Sequence, residues 1–431
     1  MTRRPRNVRW VLFLVALCAL LAVVASGSAL ARDGATSARS QPASCPMHPQ
    51  VVFWTSTDWE LLGEELKAQQ SPCADYYISI PPLSNDKTSL RAPQDDVIRA
   101  LGPRFHPLAE VTLGNVTGWA AWVAGAPERT WFDAGVEFRR RMVAAGYRPE
   151  LGETWLLNEI DRSTIRDQPP YTRAAMKDLL RGLYEGDGTG PKLPGIVEVG
   201  IAYTHQNIPD IETYRSEWKS WLQDSDFWTS VAPAISMLAK EVYPDARFWG
   251  VSGTTLNQRA RHLTQYMEHP MTLVNAGPAA IGPARSFFTQ TYTPLGNATW
   301  PAKGPDPYTP PFCCGHGWTL MPLDAMLAFV SEQIYSIRRY VGNHRHGPPQ
   351  DRLGFSWQPT NNFDLAPAEW NSAKRAIASR IAESIRHAYR PGLANSVGAC
   401  RPPPGSTTDW CHGGDVSGAA FTEAWATFER W

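Results

Sequence analysis

Apolar runs rich in β-branched and aromatic residues alternate along this chain with stretches in which apolar residues recur every three or four positions. The runs predict strands, and the longer spacing predicts helices. The expected strands are residues 51–55, 75–80, 107–113, 154–160, 196–203, 247–252, 271–275 and 353–358, with residues 287–292 as an alternative seventh strand. The expected helices are residues 131–145, 171–184, 214–222, 231–243, 322–341 and 367–389. Strands that alternate with helices indicate βα units and a parallel sheet.

This alternation indicates an α/β fold, and its count of about eight units favours a (β/α)8 TIM barrel with enlarged loops. We assign the barrel to residues 49–391. A doubly wound open sheet is the alternative. That fold would place a Gly-rich phosphate loop after the first strand, whereas residues 54–63 read WTSTDWELLG and contain no such loop.

Residues 1–31 have the pattern of a secretory signal peptide. Arginines precede an apolar stretch at residues 10–25, and residues 29–31, Ala-Leu-Ala, fit a small-x-small cleavage site. We therefore expect cleavage before Arg32, a secreted protein, and no stable membrane insertion afterwards. Residues 32–48 are expected to form a linker, and the Pro- and Gly-rich residues 392–431 an extension that packs on the barrel.

The cysteines of a secreted chain are expected to form disulfides. Seven cysteines less Cys18 of the signal peptide leave six, an even number. Cys45 and Cys73 each precede a predicted strand. Because such positions are neighbours at one end of a parallel barrel, we expect a bridge between Cys45 and Cys73.

The other four cysteines leave the pairing open. Cys400 and Cys411 flank a Pro-rich loop that they could close. The adjacent Cys313 and Cys314 form either a vicinal disulfide or bonds to other cysteines. No Cys/His spacing matches a zinc signature, and we expect neither a metal nor another cofactor.

Charge and aromatic content bear on the partner. The chain has 41 basic and 41 acidic residues, and this balance argues against nucleic acid, which requires clustered positive charge. Its 18 tryptophans are unusually many. Most must pack in the core, but sugar-binding clefts also need flat apolar faces, so the excess favours a carbohydrate partner. We expect a monomer.

One predicted strand carries a charge where its apolar run ends. Asn158 and Glu159 stand near the end of TWLLNEI, the expected fourth strand. Catalytic groups of barrel enzymes lie at the carboxyl ends of the strands. Hydrolysis of a glycosidic bond needs one carboxyl group that donates a proton and a second that attacks the sugar or activates water. Burial beside Trp155 would raise the pKa of Glu159 and keep its proton for donation.

The Asn158-Glu159 pair resembles the large clan of retaining (β/α)8-barrel glycoside hydrolases. In that clan an Asn-Glu pair on the fourth strand supplies the acid/base Glu, and the Asn contacts the sugar 2-hydroxyl. The sequence GFSWQP at residues 354–359 is similar as well, because an aromatic residue on the last strand often forms the floor of the sugar subsite. The resemblance implies that Glu159 is the acid/base, that Asn158 contacts the sugar and that Trp357 stacks on it.

The sequence differs from the clan in its second carboxylate. In the clan, a Glu on the seventh strand is the nucleophile. Neither expected seventh strand contains an acidic residue. Glu198 is our first choice instead, because it interrupts the apolar fifth strand and because alpha-amylase-like barrels pair carboxylates on strands four and five. Glu110 is the second choice and Asp58 the third. Both are also candidate substrate contacts, and Glu110 could instead be structural. An inverting enzyme, or one without its own nucleophile, also remains open.

Each candidate has a structural interpretation too. Glu159 could pair with Arg162, and Glu198 could be a buried structural carboxylate. Three tryptophans near strand ends are further candidates for substrate contact, and core packing is their alternative role: Trp54, Trp249 and Trp357. His205 is another candidate, and a position in a plain loop is its alternative.

The function that these residues favour is a secreted glycoside hydrolase acting on a poly- or oligosaccharide. The alternative is a non-catalytic carbohydrate-binding TIM barrel, which the missing acid on the seventh strand favours. A serine hydrolase is disfavoured, because residues 249–255, WGVSGTT, lack a G-x-S-x-G elbow.

Overall fold

The computed structural model divides into two compact units after Ser44, and the residues that it describes all belong to the second unit. They are Cys45 and residues 48–55, 59–83, 87–92, 97–113, 118–160, 162–200, 216–217, 220–221, 223–242, 280–281, 286–290, 323, 327, 330–331, 334, 351–357 and 367–389. The expected signal peptide, most of the linker and the extension at residues 392–431 lie outside them.

Parallel strands form a closed barrel, in which each strand pairs with the next along the chain and the first also pairs with the last. The strands are β1 (Gln50–Thr55), β2 (Asp75–Ile80), β3 (Phe105–Thr112), β4 (Thr154–Ile160), β5 (Gly195–Gly200), β6 (Ile235–Val242), β7 (Ser286–Gln290) and β8 (Arg352–Trp357). The α/β class and the TIM barrel expected from the sequence are confirmed.

Helices lie between the strands and after the last one. They are α1 (Trp59–Ala68), α2 (Val97–Ala100), α3 (Trp119–Ala124), α4 (Trp131–Ala144), α5 (Arg162–Arg166), α6 (Arg173–Glu185), α7 (Ser225–Val231) and α8 (Trp370–Ala388), with short 3-10 turns at Pro149–Leu151, Ala232–Ala234 and Pro367–Glu369. Among the described residues, no helix is long and apolar enough to cross a membrane.

Two apolar layers follow from the alternation of side chains along each strand. One cluster is built from strand residues alone and fills the barrel: Val52, Trp54, Leu108, Leu156, Ile196, Met237 and Ala239. The other cluster joins the opposite faces of the strands to the helices. On β4, for example, Leu156 belongs to the interior cluster, whereas Trp155 and Leu157 belong to the outer one.

Helices α4 and α6 show how local sequence sets the outer layer. Thr130 begins α4 with a capping box, because its hydroxyl accepts from the Asp133 amide while the Asp133 carboxylate accepts from the Thr130 amide. Gly135 of α4 and Gly182 of α6 then let the two backbones approach closely, since a Cβ at either position would overlap the backbone of the other helix.

The sixth and seventh strands correct the sequence interpretation. Residues 231–243 were expected to be helical, but they contain β6, so the expected helix is wrong and the sixth strand precedes residues 247–252. The alternative assignment of the seventh strand is confirmed by β7 at Ser286–Gln290. Residues 247–252 and 271–275 lie outside the described part of the chain.

The expected bridge between Cys45 and Cys73 is present, with the two Cα atoms 5.5 Å apart. It joins the segment before β1 to the segment before β2, as expected for neighbouring strands of a parallel barrel. Cross-linking of this kind stabilises a fold mainly by restricting the unfolded chain. The other cysteines lie outside the described residues.

Candidate active site

Polar side chains follow the interior apolar layer at the carboxyl ends of four neighbouring strands. Two positions beyond an interior residue, a strand returns to the same face. This alternation places Ser79 of β2, Glu110 of β3, Asn158 of β4 and Glu198 of β5 inside the barrel. Hydrogen bonds join three of them directly, because Glu110 accepts from both Ser79 and Asn158.

A β-bulge in β4 sets Asn158 and Glu159 opposite Glu198, the residue that we chose first as the second carboxylate. Leu157 of β4 is opposite Val197 of β5, and Ile160 is opposite Val199. The two residues Asn158 and Glu159 therefore oppose the single residue Glu198. Such bulges redirect side chains and are common beside active sites.

Glu159 adopts a left-handed backbone conformation at this bulge, with φ of 54°. A non-glycine residue in this region costs about 1 kcal/mol or more. The expected burial of Glu159 beside Trp155 is wrong, because Glu159 is exposed while Trp155 is buried in the outer layer against Gly195. No hydrogen bond or ion pair joins its carboxyl group to another side chain in the part of the chain that the structure describes, and the side chain of Arg162 lies outside that part.

Glu198 lies in the opposite environment. Its exposed fraction is 2%, and it follows Ile196 of the interior cluster on β5. Its backbone pairs with Ala239 of β6, which belongs to the same cluster. The bulge thus sets one exposed and one buried carboxyl group at facing positions of adjacent strands.

Three side-chain donors contact the carboxyl group of Glu110 inside the barrel. Its Oε1 accepts from Thr112 Oγ1 at 2.8 Å and from Asn158 Nδ2 at 3.1 Å, and its Oε2 accepts from Ser79 Oγ at 3.2 Å. Burial raises the pKa of Glu110, and the three donors together with the charge of Lys87 oppose that rise. Burial therefore raises the pKa at Glu110, whereas the sequence interpretation assigned this effect to Glu159.

Backbone contacts anchor this network across the barrel. Ser79 Oγ accepts from the Thr55 amide at 3.0 Å, and Thr55 Oγ1 donates to the Ser79 carbonyl at 2.5 Å. Hydrogen bonds consequently run from β1 through β2 and β3 to Asn158 on β4. Sequence reasoning did not identify Ser79 or Thr112, although Thr112 follows the candidate Glu110 by two positions on β3.

The other candidates occupy different places. Trp54 is part of the interior cluster and is 5% exposed. Trp357 lies in the outer layer and is 1% exposed, a position that suits core packing better than stacking on a sugar. Asp58, His205 and Trp249 lie outside the described residues.

Within the residues that the structure describes, no group of three or more His, Cys, Asp or Glu side chains is arranged to hold a metal ion.

Comparison with known proteins found no matching family model and no matching curated protein. Several solved structures match in part. A GH18 chitinase from Pseudoalteromonas aurantia is 12% identical, covering 75% of this chain and 98% of the chitinase chain at a TM-score of 0.39. An endo-beta-N-acetylglucosaminidase from Cordyceps militaris is 10% identical, covering 78% and 91% at a TM-score of 0.37. A family 51 alpha-L-arabinofuranosidase from Bifidobacterium longum is 12% identical, covering 79% and 73% at a TM-score of 0.35. At such identities and TM-scores the fold assignment relies on the strand pairing of this chain itself.

Proposed function

We propose that this chain is an exported glycoside hydrolase that cleaves a glycosidic bond in a poly- or oligosaccharide by carboxylate acid/base catalysis. The observation that carries the proposal is the bulge, which puts Asn158 and Glu159 of β4 opposite Glu198 of β5. Glycosidic hydrolysis needs a pair of carboxyl groups that flank the bond, and adjacent strand ends of a barrel can supply them.

The environments of the two groups support different roles. Exposed Glu159 can exchange protons with solvent between turnovers, so we assign it the proton donation to the leaving oxygen. Buried Glu198 has the second role, in which it either attacks the anomeric carbon or activates the water that does so. Among the described candidates, Asn158 and Trp54 are the side chains that we propose to contact the sugar.

Export is proposed from two independent features. Residues 1–31 have a signal-peptide pattern, and Cys45 is bonded to Cys73. Disulfides persist in oxidising compartments and are rare in the cytosol of most organisms.

A non-catalytic carbohydrate-binding barrel is the second candidate. The observation that favours it is the composition of β7, Ser286–Gln290, which reads SFFTQ and contains no carboxyl group. Such a protein would keep the sugar contacts and lack turnover.

The test is release of reducing sugar from a panel of plant cell-wall glycans, bacterial wall polymers and storage glucans. We expect the wild type to act on at least one, and Glu159→Gln to lower the rate by about 10²- to 10⁴-fold, the usual contribution of a general acid. Glu198→Gln is expected to lower it at least as much. The control is Glu150→Gln, which changes an exposed carboxyl group beyond the other end of β4 and should leave the rate unchanged.

Binding of a glycan without hydrolysis would support the second candidate and contradict the first. A wild-type rate retained by Glu159→Gln would show that the acid has been assigned to the wrong residue.

A further inference from the structure

We propose that Glu110 is a positioning residue: as a carboxylate it fixes the side-chain amide of Asn158, so that Asn158 Oδ1 turns away from Glu110 and accepts a hydrogen bond from a sugar hydroxyl. This role rests on the proposed function, because that function gives Asn158 the sugar contact. It assigns Glu110 neither of the two catalytic roles.

The direction of one hydrogen bond carries the first step. A carboxylate has only acceptor atoms, whereas an amide side chain has a donor end and an acceptor end. The Asn158 atom facing Glu110 Oε1 at 3.1 Å is therefore Nδ2. Oδ1 then lies on the other side of the amide, and it accepts from no side chain among the described residues. Asn158 is half-buried, so part of this residue is exposed.

The second step is the rigidity of Glu110 itself. Thr112 and Ser79 donate to its two oxygens, and the amide of Thr55 donates to Ser79 Oγ. The Ser79 hydroxyl accepts from a backbone group, so its own hydrogen is available for Glu110 Oε2. Three strands thereby hold the carboxylate in one orientation, and its position does not depend on the substrate.

The third step is the chemistry of the hydroxyl. Positive charge builds at the anomeric carbon in the transition state, and hydrogen bonds to the adjacent hydroxyl strengthen there. A hydroxyl beside a positive centre becomes a better donor, so an acceptor such as Asn158 Oδ1 stabilises the transition state more than the ground state. A donor at the same place would not.

Protonation of Glu110 reverses the arrangement. A neutral carboxyl group can donate, and the Asn158 amide then gains by turning round to present Oδ1 to Glu110 and Nδ2 to the sugar. Burial raises the pKa of Glu110, so this change begins at a higher pH than for an ordinary carboxyl group.

Other ionisable groups also act on this site. Lys87 lowers the pKa of Glu110, and Tyr147, whose own pKa is raised by burial and then by Glu153 and Glu110, lies within electrostatic reach of it. Glu198 lies on β5, on the far side of β4 from Glu110.

The test is the side-chain amide signal of Asn158 in the full chain labelled with ¹⁵N-asparagine, assigned by its loss in Asn158→Asp. In the wild type we expect the signal to shift through a single titration as Glu110 takes up a proton. In Glu110→Gln that titration should disappear, and kcat/KM should fall by about 10- to 100-fold with a flattened acidic limb. Glu153→Gln is the matched control, since Glu153 and Glu110 are each 4% exposed, and it should keep the titration.

An Asn158 signal that ignores pH in the wild type overturns this role, and so does a titration that survives Glu110→Gln. The wild-type titration decides the question even where Glu110→Gln does not fold. If the chain releases no sugar but shows the Glu110-dependent titration, the link between Glu110 and Asn158 is supported and the proposed function is contradicted. If the chain is active but shows no titration, the proposed function is supported and the link between Glu110 and Asn158 is contradicted.

Discussion

Glu137 shows what a single charged residue contributes on the helical surface of this barrel. It accepts from Arg140 and from Arg141, with N–O distances of 2.7 Å to each. The hydrogen bond from Arg140, together with the contacts to Arg141, lowers the pKa of Glu137 to about 2 despite an opposing effect of burial. The folded state therefore favours the charged form of this side chain.

The residue-scale prediction is a pH-dependent loss in Glu137→Gln. Because the pKa of Glu137 is lowered on folding, its contribution is complete above the ordinary pKa of a carboxyl group and is lost as the pH falls toward 2. Solvent screening limits the contribution to about 1 kcal/mol. Chemical denaturation at pH 7 and at pH 2 should show the variant less stable than the wild type only at pH 7.

Asp178→Asn is the control, since Asp178 pairs with Arg181 at 3.3 Å with both side chains largely exposed. It should change stability by less than about 0.5 kcal/mol at either pH. An equal loss for Glu137→Gln at pH 7 and pH 2 would contradict the charge-based explanation.

At the same scale, the sequence could identify Asn158 and Glu159 but not their surroundings. A polar pair that ends an apolar run is visible in one segment of chain. The network around Glu110 depends on the register of β2, β3 and β4, which places Ser79 and Asn158 at one carboxyl group. The exposure of Glu159 depends on a bulge between β4 and β5, and no local pattern in TWLLNEI predicts it.

At the scale of elements, helix α4 and helix α6 can pack closely because glycines without side chains stand where their backbones meet. A Cβ on Gly135 would overlap the carbonyl oxygen of Leu179 and the amide nitrogen of Leu183. Both are backbone atoms, so no side-chain rotation can relieve the overlap. Gly135→Ala should therefore lower the free energy of unfolding by about 2 kcal/mol or more, although alanine is the better helix former. Urea denaturation measures this change.

Gly63→Ala in α1 is the comparison for that prediction. Its added Cβ would meet the Leu101 Cδ1 atom at 2.6 Å, which is the mobile tip of a side chain. We expect a cost below about 1 kcal/mol, because a rotamer change relieves the contact. A loss for Gly135→Ala no greater than for Gly63→Ala would contradict the close approach of α4 and α6.

The elements that the sequence predicts well are those whose local pattern agrees with their environment. β2 and β4 have the expected bounds, and α4 has a clear cap and a clear apolar face. β6 does not. Its sequence, ISMLAKEV, contains strong helix formers, with apolar residues at helical spacing. Pairing with β5 and β7 makes it a strand, so the tertiary context overrides the local preference.

At the scale of the whole molecule, the barrel could be predicted because it depends on the number and order of βα units rather than on any one boundary. One helix was assigned wrongly and one strand was displaced, but the alternation still led to a closed parallel barrel. The Cys45–Cys73 bridge could be predicted for the same reason, since it follows from which strands are neighbours. The site required more, because its geometry combines register, a bulge and burial across four strands.

The central claim is that Glu159 donates the proton and Glu198 performs the second carboxyl role. Its most direct test compares aryl glycosides of the sugar that the wild type releases, with leaving groups ranging from strongly to weakly basic. Glu159→Gln should lose most activity toward basic leaving groups, which need a proton to depart, and keep most of it toward dinitrophenyl glycosides, which do not. Glu198→Gln should be inactive toward both. A Glu159→Gln enzyme whose loss of rate is the same for every leaving group would contradict the claim.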